Sequence, residues 1–333
     1  MKWHYAILGV SLSLGCDDPG SRSTERFDTL GPRTDTVEAG DTASTARDAT
    51  DAADGTASGD TSGPDVVGDG SVCARWNADR AQRTEGAWTG SASSCTAGDV
   101  LSPGRDNALR QVNLYRWMAG LPAVELSEAK NEAAQACALL MQANRTIDHE
   151  VPTSWKCYEP VGAATAGLSN LATTPGVLAV DLYMTDNDVP TLGHRRWILS
   201  NSLGPIGVGS TSGYSCLHVI NGTGRAGARW TAWPPPGEVP VEAIHMGQGL
   251  DVDTAGWSIQ SDTVSFAGAT VRVLRGGEER AVTVSQAAQG YGSAYALRIV
   301  PKGWKTAVGE TYQVEVTLAR EVISYSFSVV QCR

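Results

Sequence analysis

Residues 17–70 limit the fold more than any other feature of this 333-residue chain. The tract is built mainly from Asp, Thr, Ala, Ser and Gly, and it carries 13 acidic residues against 4 arginines. Because large apolar side chains are almost absent, the tract cannot bury enough surface to offset the entropy lost on ordering. It is therefore predicted to be a disordered acidic linker, which leaves residues 71–333 to fold. That remainder is nearly neutral, with 23 acidic and 21 basic residues, so no basic face predicts nucleic-acid binding.

The N-terminus has the pattern of an export signal. Lys2 provides a positive charge, and the apolar stretch at residues 6–14 is too short to span a bilayer permanently. The stretch runs into Ser13-Leu14-Gly15-Cys16, which resembles a bacterial lipobox except that Ser13 stands where Leu is usual. The resemblance implies that residues 1–16 are a lipoprotein signal peptide and that a lipid on Cys16 anchors the protein at the cell envelope or cell surface. A plain secretory signal with an incidental Cys16 is the alternative.

Six further cysteines fit an exported chain, because disulfides persist in oxidising compartments. An even count predicts up to three disulfides, for which 15 pairings exist. Short separations favour Cys73–Cys95 and Cys137–Cys157, which leaves Cys216–Cys332. The cysteines do not show CxxC spacing, so the pattern does not predict a thioredoxin-type or zinc-ribbon site.

Helical signals dominate the middle of the chain. Asp106 and Ser127 are residue types that cap helix N-termini, and each precedes a run of apolar residues at helical spacing. Thr174-Pro175 indicates a third helix start. Leu192-Gly193-His194 is interpreted as a tight Gly turn that leads into a short helix with His194 at its start. Two short antiparallel strands are predicted to follow, near residues 206–209 and 214–220.

Residues from about 248 onward alternate apolar and polar side chains with the period of β-strands. Six such runs are separated by turn signals: 264–266, 270–274, 281–284, 296–300, 312–316 and 325–329. Several short strands at this spacing predict an all-β sandwich of Ig-like type. The region is expected to be an accessory domain, with residues 71–247 as one domain and 248–333 as the next.

A set of motifs in residues 107–220 resembles a known family. The set comprises Asn113-Leu114-Tyr115-Arg116, Gly120-Leu121-Pro122, the Ala-rich second helix, His149, and Gly193-His194-Arg195 followed by Ile206-Gly207-Val208-Gly209. In this order it resembles the CAP superfamily of cysteine-rich secretory proteins, antigen 5 and pathogenesis-related proteins, in a bacterial lipoprotein form of the SCP-like extracellular domain. The resemblance implies an α+β fold, with a three-layer α-β-α sandwich ahead of the β-sandwich.

The resemblance also implies site residues. The family's cleft usually holds two histidines and two acids, and His149 and His194 match the histidines. Asp186 follows Tyr183 by three positions, where the family has an acid three residues after a Trp. The other family acid is the Glu of a Gly-Glu-Asn-Leu motif, and Ser169 stands in its place.

One carboxylate of the family set is therefore missing. Glu150 and Glu159 are the acids that could substitute for it in space. His218, in a predicted strand, and His245, in a predicted loop, are interpreted as structural or surface residues rather than ligands.

Three classes of function remain open from the sequence. His149, His194 and Asp186 have the residue types of a site for zinc or another divalent cation. His149, Asp186 and Ser169 have the types of a Ser-His-Asp triad, but Gly-x-Ser-x-Gly and His-Glu-x-x-His motifs are absent from the sequence. The favoured interpretation is an anchored module that binds an unidentified lipid, glycan or protein rather than an enzyme. A metal-dependent or Ser-dependent hydrolase that uses the same cleft is the alternative.

Overall fold

The computed structural model describes residues 71–332. The predicted signal peptide, Cys16 and the acidic linker lie outside the described residues. The described chain begins with a helical part, which contains a small sheet, and continues with a β-rich part. The helices are α1 (Val72–Arg80), α2 (Gly104–Met118), α3 (Glu128–Asn144), α4 (Pro160–Ala166), α5 (Gly176–Thr185) and α6 (Gly193–Ile198).

The small sheet has antiparallel strands in the order β1-β3-β2, formed by β1 (Ser169–Ala172), β2 (Gly207–Ser210) and β3 (Ser215–His218). On one face, Leu171 and Cys216 pack with the small residues of α3, such as Ala138. On the other face, Val208 and Leu217 join the larger apolar cluster that contains α5. Helices thus cover both faces of the sheet, which fits the predicted α+β class and a three-layer order.

Small residues account for how closely α3 covers the first face. Ser127 is the residue before α3, as predicted, but its side chain makes no hydrogen bond to the first turn of the helix. Gly209 explains how closely α3 approaches the sheet, because a Cβ atom there would lie 2.0 Å from the carbonyl oxygen of Ala134. The predicted N-cap Asp106 is wrong by three residues, since Pro103 is the N-cap of α2 and Asp106 lies in the first turn of the helix.

Helix α1 lies ahead of the first helical signal in the sequence, which is at Asp106. Its buried side chains are few, Val72 and Trp76, so that the helix lacks the long apolar stripe that periodicity detects. Tertiary contacts hold it instead. The ring of Trp76 packs edge-on against Tyr115 of α2, with 6.0 Å between ring centroids.

The β-rich part contains two larger sheets and a small hairpin. The elements are β4 (Thr231–Trp233), β5 (Gly237–Pro240), β6 (His245–Gly247), β7 (Leu250–Asp251), α7 (Val252–Ala255), β8 (Trp257–Ser261), β9 (Thr270–Arg275), β10 (Glu278–Arg280), β11 (Val282–Gln286), β12 (Tyr295–Pro301), β13 (Thr311–Thr317) and β14 (Val322–Val330). One sheet has the order β10-β9-β13-β14-β5 and the other the order β11-β12-β8-β4. The strands β6 and β7 pair only with each other.

The two larger sheets share an aromatic core. Trp257 of β8 packs edge-on against Tyr312 of β13 and Phe327 of β14, with ring centroids 6.2 and 5.1 Å apart. The predicted strand at 264–266 is a loop, and β8 lies just before it. The Ig-like type of this region stays a prediction.

Sheet pairing crosses the predicted domain boundary at 247/248. Ala232 of β4 pairs with Ile259 of β8, and Val239 of β5 pairs in parallel with Val329 of β14. The strands at 231–240 therefore belong to the sheets of the C-terminal region by hydrogen bonding. Whether 71–247 and 248–333 fold as separate domains stays a prediction.

All six cysteines of the described region form disulfides, as predicted, but each predicted pairing is wrong. The bonds are Cys73–Cys332, Cys95–Cys157 and Cys137–Cys216. The Cys137–Cys216 bond follows from the packing of α3 on the small sheet, because Cys137 lies in α3 and Cys216 lies in β3. The first joins α1 to the chain end across 259 residues of sequence. Short separation was a poor guide because tertiary packing, not sequence distance, brings these thiols together.

The helices described between residues 71 and 332 are too short or too polar to cross a lipid bilayer.

Candidate functional site

His194 lies in the first turn of α6, and the residues before it have an unusual backbone. Asp186, Asp188 and Leu192 all have positive φ angles, of 56°, 60° and 50°. Residues with a Cβ atom occupy this region at some cost in energy, and such positions cluster at binding sites. The predicted tight turn is confirmed, although Leu192 rather than Gly193 adopts the left-handed conformation.

A buried carboxylate orients His194. Nδ1 of His194 lies 2.7 Å from Oδ1 of Asp186, whose side chain is fully buried. The second oxygen of Asp186 accepts a hydrogen bond from the backbone N–H of Arg195 at 3.2 Å. Both oxygens of Asp186 are therefore engaged. Because a carboxylate accepts, Nδ1 carries the proton and Nε2 is the ring nitrogen with a lone pair when His194 is neutral.

His149 is held in the same manner by the backbone. Its Nδ1 lies 2.9 Å from the carbonyl oxygen of Ala166, the last residue of α4. A carbonyl oxygen can only accept, so the neutral ring again has its lone pair on Nε2. Burial lowers the pKa of His149 and a charge on His194 lowers it further, against the hydrogen bond to Ala166, which raises it.

The wall of this site joins three elements. Tyr183 of α5 lies beside the ring of His194, with 5.4 Å between centroids, and its hydroxyl donates to the carbonyl of Asn170 at 3.0 Å. The side chain of Asn170 in turn donates to the carbonyl oxygen of His194 at 3.0 Å. The aromatic residue and the Asn of the two family motifs thus tie β1, α5 and α6 together.

The hypothetical Ser-His-Asp triad has no geometric support. The hydroxyl of Ser169 is buried and donates to the carbonyl oxygen of Thr165 at 2.7 Å. Asp186 contacts His194 rather than His149. Each member of the supposed triad therefore has a different partner from the one that nucleophilic catalysis requires.

The two acids considered as substitutes for the family Glu, Glu159 and Glu150, differ in their surroundings. Glu159 caps α4, accepting a hydrogen bond from the backbone of Gly162 at 3.0 Å. Glu150 is exposed. Metal ligation by His149, His194 and Asp186 together stays a prediction, and the contacts of Asp186 favour an orienting role for it.

Two buried arginines connect α6 to the β-rich part, a role that the sequence did not reveal. Nη1 of Arg195 donates to the carbonyl oxygen of Gly256 at 2.7 Å, and Nη1 of Arg196 donates to that of Ala288 at 2.6 Å. Burial lowers the pKa of each guanidinium to about 10, so both remain charged at neutral pH. Gly193 is required here because a Cβ atom would lie 2.7 Å from the ring of Tyr291. The β-rich part therefore helps to fix the position of His194.

His245, Asp251 and Asp253 form a second group that could hold a metal ion. One ligand atom from each lies within 4.8 Å of the other two. The sequence contained the signal as a histidine followed by acids six and eight positions later. The sequence pattern predicts a loop at His245 and does not connect this residue with the two acids, because β6, β7 and α7 are too short to give a periodic pattern.

The buried position of His218 makes the folded state less stable in acid. Burial, and to a lesser extent the charge of Lys130, lowers the pKa of this histidine from about 6.5 to about 4. The folded state keeps the ring neutral, whereas the unfolded chain takes up a proton below pH ~6.5. The resulting stability is fully present above pH ~6.5 and is lost progressively as pH falls to about 4.

Thermal unfolding of wild type and His218→Gln between pH 4 and 8 tests this. The difference in Tm between the two proteins should be constant above pH 7 and shift in favour of the variant as pH falls. A difference that stays the same across the whole range would contradict the assignment.

Comparisons with known proteins bear on the part of the chain that holds the histidine pair. No curated protein and no solved structure matched the chain. Residues 109–220 match the model of the cysteine-rich secretory protein family, CAP, and so support the CAP superfamily for the segment that carries His149, Asp186 and His194.

Proposed function

We propose that this protein is an extracellular CAP-domain module, anchored at the cell envelope, which binds a ligand or partner through the His149/His194 cleft with the help of a divalent metal ion. The family is extracellular, and three disulfides suggest export. The lipid anchor on Cys16 and the identity of the partner, a lipid, glycan or protein, are parts of the proposal.

One observation carries the metal part. Both cleft histidines have Nδ1 bound to an acceptor, the carboxylate of Asp186 for His194 and the carbonyl of Ala166 for His149. Metal-ligating histidines almost always donate their other N–H to such a carboxylate or carbonyl, which fixes the ring and leaves one nitrogen for the ion. In this arrangement Asp186 acts through His194 rather than as a ligand.

The donor set limits what chemistry is expected. Two imidazole nitrogens suit zinc and similar ions, but a third protein ligand in place of the family Glu is not evident among the contacts of Ser169. Binding through open coordination positions, which a ligand from outside would fill, is therefore favoured over hydrolysis. A metal-dependent hydrolase would use the same two nitrogens, whereas the contacts of Ser169 do not favour a Ser-dependent one.

Zinc titration by calorimetry tests the proposal on the exported, disulfide-bonded protein. The double variant His149→Ala/His194→Ala should bind one zinc ion fewer per chain. Asp186→Asn should lower the zinc affinity of this site about 10- to 100-fold, because removing an orienting partner typically costs this much. Glu159→Gln serves as the matched control, since that carboxylate caps α4 and should leave zinc affinity unchanged. Equal zinc binding in wild type and the double variant would refute the cleft as a metal site.

A further inference from the structure

The cluster of His245, Asp251 and Asp253 lies away from the His149/His194 pair in sequence and is built by different elements. His245 begins β6, Asp251 ends β7 and caps α7, and Asp253 lies in the first turn of α7. Thr306, from the segment between β12 and β13, completes the surroundings. Hydrogen bonds from Thr306 thus bring distant parts of the β-rich region together.

N–H donors fix both carboxylates, and Oδ2 of Asp253 accepts from the backbone N–H of Thr306 at 2.7 Å. Oδ1 of Asp251 accepts from the backbone N–H of Asp253 at 2.9 Å and of Thr254 at 3.3 Å. Oδ1 of Asp253 accepts from the indole of Trp257 at 2.8 Å. Oδ2 of Asp251 lies 3.4 Å from Nδ1 of His245, whereas Oδ2 of Asp253 lies 3.6 Å from the other ring nitrogen, Nε2.

Thr306 determines which nitrogen of His245 carries the proton. Its hydroxyl donates to Oδ2 of Asp253 at 3.0 Å, so the hydroxyl oxygen can only accept from the ring. Nε2 of His245 lies 3.1 Å from that oxygen and 3.2 Å from the carbonyl oxygen of Thr306. Two acceptors around Nε2 require a proton there, which leaves the lone pair of the neutral ring on Nδ1.

That lone pair faces a carboxylate. In the neutral ring Nδ1 of His245 and Oδ2 of Asp251 are both electron-rich and lie 3.4 Å apart, so that a proton on Nδ1 or a cation beside the gap offsets their repulsion. Ligands of a divalent transition ion with bonds of about 2.0–2.2 Å are separated by roughly 3.0–3.6 Å, and the 3.4 Å between Nδ1 of His245 and Oδ2 of Asp251 falls within this range. The other ring nitrogen, held on the Thr306 carbonyl, provides the orienting contact that metal-bound histidines need.

Lys305 supplies a positive charge without a metal. Its ammonium group contacts Oδ2 of Asp251, while 60% of the side chain is exposed to solvent. A flexible, exposed ammonium is a weakly held counter-ion, since such surface pairs contribute little. A doubly charged ion could therefore displace it.

We propose that Nδ1 of His245 and Oδ2 of Asp251 bind a divalent transition-metal ion of the Mn²⁺ or Zn²⁺ class, with Asp253 holding the histidine through Thr306 and Lys305 as the counter-ion that the metal replaces. One nitrogen and carboxylate oxygens suit such ions. The site would fasten the β6–β7 hairpin to α7. It is independent of the His149/His194 proposal, because the two groups share no residue.

The β6–β7 hairpin contacts the residues on either side of Asp186, which orients His194. The side-chain amide of Asn187 donates to the carbonyl oxygen of Gly249 at 2.6 Å, and Asn187 directly follows Asp186. Thr185, just before Asp186, donates to the sulfur of Met246 at 3.1 Å. A metal that fixes the hairpin would therefore hold the segment that orients His194.

Mn²⁺ binding to the exported full chain, counted by electron paramagnetic resonance, tests the proposal in the His149→Ala/His194→Ala background. This background removes the other proposed site, so one bound ion per chain is expected. His245→Gln and, separately, Asp251→Asn should each abolish it, and Asp251→Asn retains the oxygen that caps α7. Lys305→Met should bind several-fold more tightly, because the competing ammonium is gone. A gain in affinity cannot arise from misfolding.

Two results would overturn the proposal: no Mn²⁺ or Zn²⁺ bound in the His149→Ala/His194→Ala background, or binding there that His245→Gln leaves unchanged. In either case His245 would be a structural residue that shares a proton with Asp251. Zinc binding that His149→Ala/His194→Ala leaves unchanged but His245→Gln reduces would refute only the earlier proposal, so that the failures of the two sites are distinguishable.

Discussion

Replacing Asp181 by Ala is expected to lower the free energy of unfolding by about 3–5 kcal/mol. The buried carboxylate receives a bidentate contact from Arg80, at 2.8 and 2.7 Å, a further one from Arg83 at 2.5 Å, and the hydroxyl of Tyr115 at 2.6 Å. Burial alone would raise the pKa of Asp181, but the hydrogen bond and charge of Arg80 outweigh it and lower that pKa. Removing the acid leaves two guanidinium groups near the core without their counter-charge.

Urea unfolding followed by tryptophan fluorescence measures the effect. Asp79→Ala is the matched control, because Asp79 pairs with Arg75 on the surface at 2.7 Å and exposed pairs contribute about 0–1 kcal/mol. Similar small losses for Asp79→Ala and Asp181→Ala would contradict the view that this cluster holds α1 against α2 and α5.

Removing the Cys73–Cys332 disulfide by a double change to Ser is expected to cost about 5 kcal/mol. The bond closes a loop of 259 residues, and in the chain-entropy model a longer loop gives a larger stabilisation of the folded state. Cys95–Cys157 closes a loop of 62 residues and should contribute roughly 1 kcal/mol less.

Chemical denaturation of both double variants against wild type checks this order. Asn77 still donates to the carbonyl oxygen of residue 332 at 2.7 Å, so that the chain end keeps one non-covalent contact in the first variant. A larger loss on removing Cys95–Cys157 than on removing Cys73–Cys332 would show that loop closure does not dominate the stability of this fold.

The elements around His194 could be predicted because their signals are local. Ser127 before an Ala-rich run predicts the start of α3, and Leu192-Gly193-His194 predicts a turn into a helix. Both depend on the chemistry of adjacent residues, which tertiary structure did not override. The alternating C-terminal runs predicted most strands of the two sheets for the same reason.

Contacts between distant segments could not be predicted in this way. The partner of Cys137 depends on which face of the sheet α3 covers, and the hydrogen bonds of Thr306 with His245 and Asp253 span more than 50 residues of sequence. Asp186 shows the limit most clearly. The sequence pattern predicts an acid at this position, but the role of that acid depends on the left-handed backbone of Asp186, which places the carboxylate beside Nδ1 of His194.

The central claim is that His149 and His194 are both held through Nδ1 and keep the lone pair of Nε2 for a ligand. Long-range ¹H–¹⁵N NMR of the histidine-labelled exported protein at pH 8 observes the tautomers directly. We predict an Nδ1–H tautomer for both rings, assigned by His149→Gln and His194→Gln, and a shift of both Nε2 signals when Zn²⁺ is added. An Nε2–H tautomer in either ring, or Nε2 signals that do not respond to zinc, would contradict the account.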